Sequence, residues 1–421
     1  MTINTVRGMK DILPPASSVW VGLEERIRAH FSTRGYLEIR TPVLEKTELF
    51  VRSIGETSDI VEKEMYTFPD KSGELITMRP EGTAPVVRAY LENRGLFKDI
   101  PVRLFYLEPM FRHERPQKGR LRQFHQAGAE ILGSEEPYVD AEVLISLYDL
   151  FKGMQLQKLS LEVNSLGCPA CRPRYNAELI AFTRKALSHL CDDCQRRYER
   201  NPLRVLDCKS SKCVELTRDA PKTVDFLCQS CRDHFDEVLR ILSVNSVAFS
   251  INSRMVRGLD YYQKTTFEFL SGSLGAQNAV AAGGRFDGLA EMIGSSEKVP
   301  GVGFAIGLER LIMLLKTKEG ISPVDDKQKL FIALPTPVFR DEAFFLKRNF
   351  EENGICCEMD YEGKSLKSQM RKANRINARL VLILGEAEMN RGMVRLKDMV
   401  TGEEEEAPHK EIARIVLDRV T

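Results

Sequence analysis

The chain reads as a mixed α/β protein in two parts: an α+β part at 1–325, interrupted by a cysteine-rich helical insertion at about 168–245, and a small α/β domain at 329–421. Three observations predict this. Helical and strand periodicities alternate over the first part. Eight of the ten cysteines fall between Cys168 and Cys231. After 329 the order becomes strand, helix, strand.

In the first part, Trp20, Leu23, Ile27 and Phe31 recur three or four apart, which predicts an amphipathic helix over Trp20 to Arg34, stopped by Gly35. Tyr36 to Val43 is expected as a strand ending near Pro42, and Thr83 to Asn93 as a second helix. Val102 to Phe111 and Phe124 to Leu132 read as strands around a basic loop, hence a hairpin. The insertion contains helical stretches such as Tyr175 to Leu190. The earlier pattern resumes near 247, with strands expected at Phe267 to Leu270, Gln277 to Ala282 and Val302 to Ala305, then an apolar-rich helix at Gly307 to Lys316. A linker with Gly320, Pro323 and a charged run at 325–329 follows. The last block has strands expected at Leu330 to Leu334, Cys356 to Met359, Leu380 to Leu384 and Val394 to Met399, mostly parallel, with helices between. The acidic run Glu403 to Glu406 reads as a solvated loop.

Composition narrows the function classes. A hydrophobic content of 43% and a charged content of 29% exclude a disordered chain. A net charge of +1 excludes a histone-like or tail-type nucleic-acid binder, so any such contact must come from local patches. The N-terminal stretch MTINTVRGMKDILPP has no apolar h-region and no small-residue cleavage site. Apolar runs such as Leu380 to Leu384 fall far short of the roughly 20 residues of a membrane span. A cytoplasmic protein with no membrane partner is expected.

No G-x-x-x-x-G-K-[ST] loop is present, and no G-x-G-x-x-G follows a strand, so nucleotide phosphates would have to be held by side chains. Residues 111–130, FRHERPQKGRLRQFHQAGAE, suit that task. Arg112, Arg115, Lys118, Arg120 and Arg122 crowd a loop marked by Pro116 and Gly119, and arginine is the bidentate partner of choice for phosphate. Standing alone, the stretch would equally fit a solvated basic hairpin.

It does not stand alone. Phe111-Arg112-x-Glu114 with its basic loop and Phe124 resembles motif 2 of the class II aminoacyl-tRNA synthetases; GVGFAIGLER at 301–310 resembles motif 3, and GYLEIRTPVLE at 35–45 resembles motif 1 with its Pro42. RGLDYYQKTTFEF at 257–269 and AAGGRFDGL at 281–289 look like the two histidine-specific motifs of the histidyl-tRNA synthetase family; RPEGT at 79–83 and RGMKDILP at 7–14 add to the likeness. The strings are long, stand in the family's order and cover nearly the whole chain. The family commonly has Tyr where Phe286 stands, which removes one hydroxyl and implies no loss of function.

The resemblance implies an antiparallel catalytic sheet flanked by helices and a C-terminal anticodon-binding domain. It implies a ligase that activates L-histidine with ATP and Mg²⁺ and transfers it to the 3′ end of histidine tRNA. Arg112 would contact the α-phosphate, Arg310 the γ-phosphate of a bent ATP, and Phe124 would stack on adenine. Glu114 would reach the adenine edge or the motif 2 loop, its alternative being structural. Arg257 would be the distinctive catalytic arginine on the α-phosphate side. Fixed cations aimed at a phosphorane-like transition state stabilise it more than the ground state. For histidine, Glu81 would take the ammonium with Thr83 beside it and Gln126 near, while Glu130, Tyr261 and Tyr262 would form the side-chain pocket, one tyrosine having core packing as its alternative. A polar pocket of this kind rejects wrong side chains by leaving buried groups unpaired, so no editing domain is expected. Motif 1 implies a homodimer.

For the tRNA, Arg115, Gln117 and Arg122 match positions the family uses at the acceptor end. In the last domain Lys367, Arg371 and Arg375 lie four apart, on one face of an expected helix; a basic face is often only solvated, and the anticodon-binding resemblance favours phosphate contact. The rival reading is an inactive paralogue that regulates ATP phosphoribosyltransferase in histidine biosynthesis. Such proteins lack the C-terminal domain and erode the arginines that this chain keeps.

Cys168-x-x-Cys171, Cys191-x-x-Cys194, Cys208 with Cys213, and Cys228-x-x-Cys231 form four pairs. Two pairs complete a tetrahedral zinc site, so the eight thiolates suffice for two structural ions; the alternative is reduced, metal-free cysteine. The family's chemistry does not depend on zinc.

Overall fold

The computed structural model describes residues 3–420 apart from 57, 118, 157, 276, 277 and 317–328. Lys118, Gln277, Gly320, Pro323 and the run at 325–328 therefore lie outside the described residues. The chain divides into two compact units, Met1–Ser322 and Pro323–Thr421.

In the first unit, β1 (Leu37–Glu38) is followed by β2 (Leu44–Lys46), β3 (Tyr66–Pro69) and β4 (Leu75–Met78). The long hairpin β5 (Val102–Phe111) and β6 (Gln123–Leu132) comes next, then β7 (Leu159–Ser165), β8 (Ser250–Ile251), β9 (Gln263–Ser271), β10 (Ala279–Arg285) and β11 (Gly301–Gly307). Eight strands make one sheet in the order β1-β5-β6-β11-β10-β9-β7-β8, and β2-β4-β3 form a small second sheet. The pairs from β5 through to β7 are all antiparallel; among the described residues only β1 and β8, at the edges, run parallel to their neighbours.

Strand periodicity sorts the side chains into two layers. Phe105, Ala127, Ala129 and Ile131 point to one face, where they pack with Leu23, Ile27 and Phe31 of helix Ala16–Ser32 and with Val143, Leu144 and Leu147 of helix Pro137–Gly153. Leu104, Tyr106 and Leu132 point to the other, against Val86, Val87 and Tyr90 of helix Thr83–Glu92. The even-numbered positions of β6, from Phe124 to Glu130, thus share a face with helix Thr83–Glu92, and the cavity described below opens there.

The expected strand over Tyr36 to Val43 is only the short β1, and residues 39–43, with Pro42, form a break before β2. The break is tied down by side chains rather than a ladder. The N–H and hydroxyl of Thr41 donate to Glu108 at 2.6 and 2.9 Å, and buried Arg79 bridges the Thr41 carbonyl at 2.7 Å and Glu108 at 2.6 Å. The cysteine-rich segment is helical, with helices at Arg172–Arg184, Asp192–Arg197, Leu203–Leu206, Ser211–Leu216 and Gln229–Val244. Its last helix packs into the main core through Phe235, Val238 and Leu242.

The second unit has a five-stranded sheet in the order β13 (Cys356–Met359), β12 (Lys329–Ala333), β14 (Ala378–Ile383), β15 (Met393–Asp398), β16 (Glu404–Pro408). Two departures from expectation meet here. The sheet is evenly mixed, because β14, β15 and β16 pair antiparallel. The acidic run is the edge strand β16 rather than a loop. Cross-strand pairing explains how glutamates hold a strand: from β15, Lys397 meets Glu404 at 2.7 Å and Arg395 meets it at 3.7 Å, while Arg391, in the turn before β15, meets Glu406 at 3.0 Å.

Candidate active site

A cavity of about 300 Å³ lies on the face of β6, β10 and β11 that carries Phe124 and Gln126. Small residues make its floor: Ala279, Ala281, Ala282, Ala305 and Gly307 leave room where larger side chains would fill it. Of the sequence-predicted residues, Arg112, Arg257, Arg310, Glu81, Thr83, Gln126, Tyr261, Tyr262, Glu114 and Phe124 all line it. Glu130 does not. It is fully buried further along the same face of β6, where the Thr83 hydroxyl donates to it at 2.8 Å.

The arginines converge from separate elements. Arg112 leaves the end of β5, donates from Nε to the Pro80 carbonyl at 2.9 Å and lies over the Phe124 ring at 5.3 Å. Arg310, on helix Leu308–Lys316, donates to the carbonyls of Gly119 at 3.2 Å and Ala279 at 2.7 Å. Arg257, on the loop before β9, pairs with Glu268 and lies 5.5 Å over the Tyr262 ring. Burial and then repulsion from Arg120 lower the pKa of Arg310. Burial acts the same way on Arg257, but the Glu268 carboxylate together with Tyr262, Tyr261 and Asp207 outweighs it and the pKa is raised. Several cations held together in a low-dielectric cleft form a receptor for a polyanion.

Glu81 caps helix Thr83–Glu92, accepting the N–H of Thr83 at 2.6 Å and of Ala84 at 3.0 Å, and the Tyr261 hydroxyl donates to it at 3.4 Å. Burial raises its pKa and raises that of Glu130 further. Among the described residues, Gln126 Oε1, Arg257 Nε and the Tyr106 hydroxyl are buried with no hydrogen-bond partner. Unpartnered polar atoms gathered at one cavity are what a polar ligand would satisfy.

Several glycines are dictated by packing. A Cβ on Gly303 would sit 1.6 Å from Glu130 Oε2, and one on Gly283 would sit 2.1 Å from the Gly303 carbonyl. Close approach at Gly283 is thus to the neighbouring strand, not to a ligand. Arg285, in the same string, is fully buried and pairs with Asp140 and Asp287. Phe286 packs in the core.

The remaining predicted contacts lie elsewhere. Arg115 and Gln117 are exposed on the hairpin loop. Arg122 is engaged within the protein: its Nε donates to the Glu114 carbonyl at 3.2 Å, and its backbone N–H to the Gly8 carbonyl at 2.8 Å. In the second unit, helix Leu366–Arg375 exposes Lys367, Arg371 and Arg375. Sequence reading did not single out Tyr106, Glu268 or Glu309, which also line the cavity. Glu268 and Glu309 sit inside strings already quoted, and Tyr106 shares its strand face with Glu108.

The cysteines form two groups: Cys168, Cys171, Cys228 and Cys231, and Cys191, Cys194, Cys208 and Cys213, with the sulfurs of each set within 4.8 Å of one another. Among the described residues, no helix is long and apolar enough to cross a membrane.

Residues 8–311 match the family described as Histidyl-tRNA synthetase, and residues 320–419 match the anticodon binding domain. A protein of Geobacter metallireducens named histidine–tRNA ligase is 54% identical over 401 residues, which cover 95% of this chain and 96% of that protein. One of the same name from Syntrophotalea carbinolica is 49% identical over 419 residues, 100% of this chain and 99% of the other. The crystal structure of apo S. aureus histidyl-tRNA synthetase matches with a TM-score of 0.83 at 32% identity, covering 98% of this chain and 99% of that one. A family match across the whole first unit, relatives near half identical end to end, and a cavity lined by the residues that the family's motifs supply lead to one conclusion: the chain belongs to the histidyl-tRNA synthetase family.

Proposed function

We propose that this protein is a histidine–tRNA ligase whose active site is the cavity beneath Arg112, Arg257 and Arg310. The observation that carries it is the union, in one cavity, of three arginines with Glu81, Gln126 and Tyr261. The arginines suit a triphosphate and the other three a zwitterionic amino acid with a polar ring. The complete second unit and the intact arginines set the regulatory paralogue aside.

In the first step a carboxylate oxygen of histidine attacks the α-phosphorus. A new P–O bond forms, the bond to the bridging β-oxygen breaks, and pyrophosphate leaves with that electron pair. Arg112 and Arg257 face the α-phosphate from two sides and stabilise the extra charge of the transition state; Arg310 holds the γ-phosphate; Phe124 stacks on adenine under Arg112. Glu114, paired with Arg120 at 2.5 Å, holds the hairpin loop over the base. The histidine ammonium restores to Glu81 the countercharge that burial denies it, while Thr83, Gln126, Tyr261 and Tyr262 orient the substrate. Glu130 acts through Thr83. In the second step the terminal ribose hydroxyl of the tRNA attacks the adenylate carbonyl carbon and AMP departs.

Magnesium accompanying ATP would supply neutralising charge for the triphosphate. Glu268 and Glu309 are the lining carboxylates suited to it, and few protein ligands fit an ion carried mainly by phosphates and water. The two cysteine groups have the ligand sets that would hold structural zinc, and no reaction step passes through them. Arg115 and Gln117 meet the acceptor end, with Arg122 bracing the loop, and Lys367, Arg371 and Arg375 meet phosphates near the anticodon. Exposed Leu37, Val43 and Leu44 around the edge strand β1 support a homodimer through this element. The substrates place the enzyme in the cytoplasm.

The test is amino-acid-dependent ATP–pyrophosphate exchange. Exchange with histidine alone, falling about 10²- to 10³-fold in Arg257→Ala, supports the reading. No exchange from folded, Mg²⁺-supplied protein would sink it.

A further inference from the structure

The loop that carries Arg257 is gripped from behind by the cysteine-rich insertion. Arg204 lies between Cys194 and Cys208 on the short helix Leu203–Leu206 and is buried. Its guanidinium donates to the Gly258 carbonyl at 2.6 Å and to Asp260 Oδ1 at 3.2 Å, and the Asn201 amide reaches the same Asp260 oxygen at 3.2 Å. Arg172, next to Cys171, donates to the Tyr262 carbonyl. Thr217, four residues after Cys213, accepts from Arg254 at 2.9 Å. Residues from both cysteine groups thus hold both ends of the segment from 257 to 262.

These gripping residues have little core of their own. The insertion's own buried apolar set is Leu190, Val205 and two of the cysteines, Cys194 and Cys213, while Leu206 on the helix of Arg204 packs into the cluster that holds Tyr261 and Tyr262. A cluster that small gains much of its rigidity from a cross-link. The sulfurs are arranged for such a link. Tetrahedral zinc with Zn–S bonds of about 2.3 Å places sulfurs about 3.8 Å apart. The structure has Cys168 to Cys171 at 3.6 Å, Cys168 to Cys228 at 4.0 Å and Cys191 to Cys208 at 3.7 Å. The N–H of Cys191 donates to Cys213 Sγ at 3.2 Å and that of Cys228 to Cys171 Sγ at 3.1 Å, bonds suited to thiolate acceptors. A second cavity of about 210 Å³, lined by Asn201, Arg204, Arg257 and Asp260, opens behind the loop. The loop therefore has space to fall back when the grip is lost.

We propose that each cysteine group binds one zinc ion and that the ion at Cys191, Cys194, Cys208 and Cys213 sets the position of Arg257 through Arg204 and Asn201. This rests on the ligase reading and adds a metal-dependent brace to it. Arg204 and Asn201 are positioning residues and touch no substrate.

The experiment measures zinc per chain by plasma mass spectrometry together with steady-state pyrophosphate exchange. The proteins are wild type, Cys194→Ser, Arg204→Lys and Asn201→Ala. Two zinc ions are expected in the wild type, in Arg204→Lys and in Asn201→Ala, and one in Cys194→Ser. In all three variants kcat falls, by up to about a hundred-fold, the cost of a displacement near 1 Å. The KM for ATP stays close to wild type, because Arg112 and Arg310 are held by the hairpin and the last helix of the unit. Wild-type protein with full exchange and no zinc overturns the metal sites. Two zincs with unchanged kcat in Arg204→Lys and Asn201→Ala overturn the brace. These two variants keep every thiol, so they decide the matter even if Cys194→Ser fails to fold. No exchange in the wild type is a separate result that fells the ligase reading.

Discussion

The hydroxyl of Thr83 donates to Glu130 at 2.8 Å, joining the first turn of a helix to the middle of the sheet beneath the cavity. Burial holds Glu130 well above the usual carboxylate range. Thr83→Val keeps the shape and leaves Glu130 short of a partner. Stability should drop by about 1–3 kcal/mol, read by urea denaturation, and the KM for histidine should rise while the KM for ATP holds.

His30 is a built-in acid limit. Its Nε2 donates to the Ser146 carbonyl at 2.9 Å, and its Nδ1 faces Arg34 at 3.2 Å. Burial and then the Arg34 charge lower its pKa to about 4, from 6.5. A depressed histidine pKa means that the unfolded chain takes the proton first. Its contribution is fully present above about pH 6.5 and is lost as pH falls toward about 4. Melting temperatures across that window should decline less steeply for His30→Gln; parallel curves would exclude His30 as a cause.

Gly303 admits no side chain. Its missing Cβ would collide with Glu130 Oε2 and approach the Ala129 carbonyl to 2.5 Å. Gly303→Ala must push β6 and β11 apart, costing about 1–3 kcal/mol or more. The histidine KM should rise with it. A crystal structure showing the two strands unmoved would contradict this.

Lys367, Arg371 and Arg375 are exposed and four residues apart, whereas neighbouring Lys372 and Arg379 pair with Glu358 and Asp398. Replacing all three with Ala should raise the KM for tRNA in aminoacylation. The log–log salt slope should fall by about 0.7–0.9 for each phosphate no longer neutralised. Pyrophosphate exchange, which involves no tRNA, should keep its rate; an unchanged tRNA KM would mean that the face is merely solvated.

The elements legible in the sequence were those with strong local periodicity. The hairpin Val102–Phe111 and Gln123–Leu132 announces itself by alternation around a basic loop, and helix Ala16–Ser32 by its apolar stripe. What resisted was set by partners far along the chain. Pro42 breaks a run whose replacement contacts come from Arg79 and Glu108. The acidic run pairs as a strand because Lys397 and Arg395 lie across from it. The residues around the cavity were readable because they sit in long strings, but Glu130 is buried further along its strand face and Arg122 braces its own loop. Local CxxC spacing names the ligand pairs and says nothing of which pair meets which; Cys168 meets Cys228, 60 residues away.

The glutamate-rich strand β16 also has a bearing on how the protein behaves in crowded solution. It ends its sheet, so one row of its backbone N–H and C=O groups faces outward, open to any passing strand. Glu404, Glu405 and Glu406 are exposed along it. A second copy aligning there would stack carboxylate upon carboxylate, and that repulsion discourages edge-to-edge aggregation. Replacing these glutamates with threonine would keep the strand and remove the guard.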